Sequence, residues 1–116
     1  MDKLAVPVHF LYTTSMKKIE KIFNRCGFRH EQLQRNGDVA IFKRVQIGCS
    51  TSHYEVVRFC SHKGYKMGNS YIESAETYPG SSLWGIRGWT YINIESARNK
   101  YGELVKKYAG KTKVPA

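Results

Sequence analysis

The sequence predicts an α+β domain: one antiparallel sheet of about four to six strands with an N-terminal and a C-terminal helix, in the order β-α-β-β-β-β-β-α. Three observations predict it. Two stretches, one starting at Met16 and one at Ile94, repeat apolar residues at helical spacing. Between them run short segments rich in Val, Tyr and Phe, punctuated by Asn36-Gly37, Lys63-Gly64 and Gly68-Asn69. The chain has 116 residues, 41% hydrophobic and 13% aromatic, which is enough for a core without disulfide or metal staples. Residues 1–110 are therefore read as a single basic α+β domain and 111–116 as a flexible basic tail.

Taken in order, Val8 to Tyr12 is a short apolar run with the look of a strand. Thr13, Thr14 and Ser15 are suitable N-caps, and Met16, Ile19, Ile22, Phe23 and Cys26 then recur at helical spacing until Gly27 stops them. Lys17, Lys18, Lys21 and Arg25 form the basic outer stripe of this expected helix. Phe28 to Arg35 and Asp38 to Val45 flank Asn36-Gly37, a strong cue for a type I′ hairpin turn because both residues tolerate positive φ. Gln46 to Ser52 reads as a polar loop and His53 to His62 as a strand. Tyr65 to Met67 and Tyr71 to Thr77 read as strand broken at Gly68-Asn69. A loop follows at Tyr78 to Ser82, then an extended aromatic stretch within Trp84 to Ile92. Asn93 caps the last helix, which shows Ile94, Ala97, Tyr101, Leu104, Val105 and Tyr108 on one face and ends at Gly110. Short connections make the strands antiparallel neighbours.

Charge is the most informative bulk property. Nineteen Lys and Arg against nine Asp and Glu give a net charge of +10, which raises affinity for polyanions and speeds encounter with them. Solubility alone would also use such charge. The three cysteines, Cys26, Cys49 and Cys60, are odd in number and irregular in spacing, as in a reducing cytoplasm. The N-terminal apolar stretch is short, carries Pro7 and His9, and lacks a small-residue cleavage site, so it is not a secretory signal. No apolar run is long enough for a membrane span.

Few residues are arranged for catalysis. Cys49, His53, Cys60 and His62 are zinc-type ligands, but their C-x3-H-x6-C-x-H spacing lacks a tight knuckle, so a core cysteine beside surface histidines is the simpler reading and no metal is expected. Glu73 and Glu76 precede the Tyr78-Pro79 loop with no partner of defined role, so ion-paired or solvated carboxylates are the simpler reading. Ser81-Ser82 has no G-x-S-x-G frame, and neither a phosphate loop nor a dinucleotide fingerprint is present. No cofactor is expected. Basic and aromatic residues interleave instead, through Tyr65, Lys66, Tyr71, Tyr78, Trp84, Arg87, Trp89, Tyr91, Arg98, Lys100 and Tyr101. Flat rings stack on unpaired bases while Lys and Arg track phosphates, although rings of a small domain also serve its core. Trp84, at a glycine-rich turn, is the ring expected at the surface.

The segments Asp38-Val39-Ala40-Ile41-Phe42-Lys43-Arg44, Tyr54-Glu55-Val56-Val57-Arg58-Phe59, Glu76-Thr77-Tyr78-Pro79-Gly80-Ser81-Ser82-Leu83-Trp84-Gly85 and Gly88-Trp89-Thr90-Tyr91 resemble a group of small proteins of bacteriophages and mobile elements. The resemblance spans roughly Asp38 to Lys107. It implies an accessory protein acting inside an infected cell, without implying an activity. Trp84-Gly85-Ile86-Arg87-Gly88 is also similar to the Trp-Gly-Arg core of WGR domains, which bind DNA ends. Here Ile86 stands in the place of that family's Arg and Arg87 comes one position late, which on a strand points it to the opposite face.

The expectation is a non-enzymatic, cytoplasmic, phage-type accessory protein that binds nucleic acid. Lys17, Lys18, Lys21, Arg25, Arg87, Arg98 and Lys100 supply charge, and Trp84 and Tyr78 stack on bases. The alternative is an anti-defence or host-takeover protein that binds and inhibits a host protein, such as a defence nuclease or polymerase. No membrane partner is expected, and the tyrosine-rich strands suit a homodimer contact equally well.

Overall fold

A computed structural model describes residues 16–108. The predicted strand Val8 to Tyr12, the caps Thr13 to Ser15, the helix stop at Gly110 and the tail 111–116 lie outside the described residues. Within them, nine strands and one α-helix follow in chain order: β1 (Ile22–Arg25), β2 (Phe28–Asn36), β3 (Val39–Gln46), β4 (Ser52–Arg58), β5 (Cys60–His62), β6 (Tyr65–Met67), β7 (Ser70–Ile72), β8 (Ala75–Thr77), β9 (Gly88–Tyr91) and α1 (Ile94–Tyr108). A 3-10 turn spans Ser81–Leu83.

Five strands form an antiparallel sheet in the order β1-β2-β3-β4-β9. The hairpin predicted around Asn36-Gly37 is present, one residue displaced. Asn36 still pairs with Val39, and Gly37-Asp38 make the turn. Only Gly37 has positive φ there (64°), the pattern of a II′ rather than a I′ turn. Leu33 bulges from β2 between Gln32 and Gln34.

The helix predicted from Met16 to Cys26 is replaced by extended chain. Lys17 forms a parallel bridge with Ala75, and Ile22 to Arg25 are strand. Cys26 (φ 54°) and Gly27 (φ 83°) both take the left-handed conformation, so the glycine read as a helix stop completes the two-residue turn of a β1–β2 hairpin. The pattern that suggested a helix is equally a strand pattern: a spacing of four residues, as between Ile19 and Phe23, is about one helical turn and also two strand repeats.

The strand predicted over His53 to His62 is interrupted at Phe59, and β5 to β8 beyond it leave the main sheet, contrary to the single-sheet expectation. β5 pairs with β8 and β6 with β7. The partners Cys60–Thr77, Ser61–Glu76, His62–Ala75, Tyr65–Ile72, Lys66–Tyr71 and Met67–Ser70 keep one continuous register. The two ribbons are thus halves of one hairpin arm, interrupted opposite each other at Lys63-Gly64 and Glu73-Ser74 and closed by Gly68-Asn69.

Side chains alternate across β3 and β4 and so feed two cores. On one face, Val39, Ile41 and Val56 meet Ala97, Tyr101 and Leu104 of α1, with Tyr54, Trp89, Tyr91, Val105 and Tyr108 around them. Asn93 caps this helix as predicted, its Oδ1 accepting the amides of Glu95 (2.6 Å) and Ser96 (3.3 Å). On the other face, Ala40, Phe42, Val57 and Phe59 are covered by Ile19, Phe23, Tyr78 and Trp84. No helix lies there among the described residues. Among them, too, no helix is long and apolar enough to cross a membrane.

Candidate nucleic-acid interface

The second face is built around two buried carboxylates. Glu55 projects from β4 beneath Tyr78, whose hydroxyl donates to Oε1 at 2.6 Å. The Nε2 of buried His30 lies 3.2 Å from the same oxygen, and Arg44 donates to Oε2 at 3.0 Å. Burial by itself would raise the pKa of Glu55. The hydrogen bonds from His30 and Tyr78, with the electrostatic influence of His30 and Arg44, outweigh it and hold the carboxyl below its ordinary value. The Tyr78 phenol is pushed far the other way, by burial first and then by the adjacent Glu55 carboxylate, so it is a hydrogen-bond donor and not a base. Aromatic rings close around this network: His30 stacks on Phe23 at 4.9 Å, and Tyr78 meets Phe23, Phe42 and His30 edge-on at 5.4–5.6 Å.

Glu76, on β8, is the second. Its side chain is fully buried, Oε1 accepts the Ile19 amide at 3.1 Å, and Oε2 is engaged by the Arg35 guanidinium, with the Lys18 ammonium 3.7 Å away. Main-chain bonds from Lys17 N to Ser74 O (3.0 Å) and from Glu76 N to Lys17 O (2.8 Å) add to the same join. Together they pin the extended segment Lys17 to Ile19 to the base of the arm. Glu76 is thus an organising carboxylate, ion-paired as the simpler sequence reading expects. Glu73 is exposed at the kink of the arm.

Between this segment, β1 and β8 lies an open recess of about 420 Å³. Phe23, Ile19 and Tyr78 give it apolar walls, Lys17, Lys18 and Arg25 give it cations, and Glu20 and Glu76 line it as well. Arg25 sits with its guanidinium 4.9 Å from the Tyr78 ring centroid and donates to the Pro79 carbonyl at 3.4 Å. Four of the residues predicted to contact nucleic acid, Lys17, Lys18, Arg25 and Tyr78, are thereby brought to one place. They arrive on extended chain rather than on the stripe of a helix. Lys21 is exposed next to them in sequence, and its carbonyl accepts the Gln32 amide at 2.7 Å.

Tyr78, expected to stack on a base, instead packs in the core, its ring enclosed by Phe23, Phe42 and His30 and covered by Arg25. The other predicted residues are elsewhere or engaged. Trp84 is half-buried, not the exposed ring expected. Its Nε1 donates to Thr90 Oγ1 at 2.9 Å and its ring rests on Gly88, where a Cβ would meet ring atoms at 2.5–2.8 Å. Arg87 lies in a turn rather than on a strand, so the face argument for its offset lapses. It donates through NH2 to the Phe59 carbonyl (2.7 Å) and through Nε to that of Arg58 (3.3 Å). Arg98 and Lys100 stand on α1, across the sheet from the recess. Arg98 is exposed, whereas Lys100 lies over the Trp89 ring at 4.3 Å.

The four zinc-type ligands do not assemble. Cys49 is exposed in the loop after β3, His53 is on β4, and Cys60 and His62 are on β5, where His62 Nδ1 is 2.9 Å from the Lys63 carbonyl. Among the described residues no three His, Cys, Asp or Glu side chains are grouped so as to hold a metal ion.

What the sequence reading passed over is the tip of the arm. Among the described residues, the exposed tyrosines are Tyr65 and Tyr71, and every Phe and Trp is at least half-buried. Both tyrosines were in view as part of the basic-aromatic series, and their place beside Gly68-Asn69, a hairpin tip, was the signal that marked them as outward-facing. No family model, curated protein or solved structure matches this chain.

Proposed function

We propose that this protein is a non-enzymatic accessory protein that binds nucleic acid, chiefly through phosphate contacts. The observation that carries the reading is the recess, where Lys17, Lys18 and Arg25 outnumber Glu20 and Glu76 beside aromatic walls in a chain of net charge +10. Cations on extended backbone, alongside apolar surface, suit a flexible polyanion with exposed bases more than the major groove of a duplex. Three free thiols support a cytoplasmic setting.

The test is titration of nuclease-treated protein into labelled single- and double-stranded DNA and RNA at low and near-physiological salt. Log affinity should fall steeply and linearly with log salt. The double variant Lys17→Glu/Lys21→Glu, which leaves the Lys18–Glu76 pair intact, should bind about 10-fold or more weakly at low salt and flatten the salt slope by about two units. Binding absent at low salt would sink the reading. A stoichiometric protein partner retained through nuclease treatment would then favour the host-protein alternative.

A further inference from the structure

We infer that the tip of the β6–β7 arm is a second contact for the same nucleic acid, in which an unpaired base stacks on Tyr71 while Lys66 meets a phosphate. The inference rests on the nucleic-acid reading and adds a site to it. Tyr71 is 66% exposed and lies directly opposite Lys66 in the ribbon. Cross-strand partners share a face, so an outward ring and an ammonium stand side by side. Tyr65, Met67 and Ile72 fall on the opposite face of the ribbon by alternation.

The Tyr71 ring is placed rather than loose. Its hydroxyl passes over Gly64, where an added Cβ would lie 2.0 Å from the oxygen and 2.7 Å from Cζ. Only a glycine leaves the ring that position without displacement. The arm that carries it is fixed at its base, because Glu76 and the Lys17 bridge tie β8 to the segment that also forms the recess. A rigid base, an exposed aromatic tip, and cations at both are the components of a single-strand track.

Charge selects the occupant. Lys63 and Lys66 stand on the arm against the exposed Glu73, and the chain as a whole is strongly cationic. A polyanion presenting flat faces satisfies both the ammonium and the ring. A stack on a phenol is available in an unpaired strand and not in an intact duplex, whose bases already stack on each other.

The experiment measures affinity for a labelled single-stranded oligonucleotide and for the blunt duplex of the same sequence, with the full chain and its Tyr71→Ala, Tyr71→Phe and Met67→Ala variants. Sedimentation and thermal melting are recorded on each. Tyr71→Ala should lose about 10- to 100-fold in single-strand affinity and leave duplex affinity nearly unchanged, while Tyr71→Phe and Met67→Ala stay near wild type. Should Tyr71→Ala melt early, Lys66→Glu substitutes for it, with loss of single-strand affinity again expected. Unchanged single-strand affinity in Tyr71→Ala, or equal loss on single strand and duplex, would overturn the arm while leaving the recess reading intact. A wild-type dimer that Tyr71→Ala converts to monomer would overturn it in favour of a contact between copies. A wild-type protein that binds neither oligonucleotide removes both readings together.

Discussion

The two faces of the central sheet are finished by different means. On one, α1 lays Ala97, Tyr101 and Leu104 over Val39, Ile41 and Val56, an apolar join between regular elements. On the other, strands of the same sheet are covered by extended chain and a loop, drawn in by Glu55 and Glu76. A helix satisfies its own backbone, so its cover needs only an apolar stripe. Irregular cover does not, and buried carboxylates here accept the backbone amide of Ile19 and the side-chain donors that would otherwise be stranded. The face with the costlier construction is also the one that bears the recess.

That contrast can be broken from either side. The largest effect is expected from Glu55→Ala, which leaves the Tyr78 hydroxyl, His30 and Arg44 without their shared acceptor. A loss of about 3–5 kcal/mol in denaturant unfolding is anticipated, with recess binding falling in the same variant. The sign with pH follows from the lowered pKa. Stability contributed by Glu55 is fully present above the ordinary carboxylate value of 4.5 and drains as pH falls through the lower folded value, a loss that Glu55→Ala should not show at that position. Next comes Leu104→Ala on the helix-covered face, where the lost packing and cavity should cost about 2–5 kcal/mol with nucleic-acid affinity preserved, provided measurements are made well below the melting point. Equal loss of affinity there would mean that the two faces are not separable. Smallest is Asn93→Ala, which removes the acceptor for two helix amides and should lower stability by about 1 kcal/mol, again without touching affinity.

The same contrast explains which parts could be read from sequence. The helix-covered face was legible: α1 declared itself by apolar spacing and an asparagine cap, and β2 and β3 by the Asn36-Gly37 turn cue between them. Those signals are local, because each element satisfies its hydrogen bonds with near neighbours. The recess was not legible as a place. Lys17, Lys18, Arg25 and Tyr78 were chosen for charge and ring, but the join that gathers them pairs Ile19 with Glu76 across 57 positions, and no local pattern encodes it. The N-terminal helix was misread because the spacing of Ile19 and Phe23 satisfies both periods and Gly27 suits both a helix stop and a hairpin turn. Cys26 in the left-handed region broke the tie, a conformation that composition does not announce. Trp84 was expected outside for its glycine neighbours, yet Gly88 is there to let the indole lie flat against the chain.

The join between Ile19 and Glu76 has an entropic side as well. The β1–β2 and β2–β3 hairpins each close over two residues, so their ends are held together almost from the start. Bringing Ile19 to Glu76 in an otherwise open chain closes a loop of 57 positions, at about 3.6 kcal/mol from the length-dependent part alone. Pairing of β1 through β4 shortens the path that must still be closed, and the cost falls with it. The topology therefore favours an order of assembly in which the sheet comes together first and the recess is the last surface the chain completes.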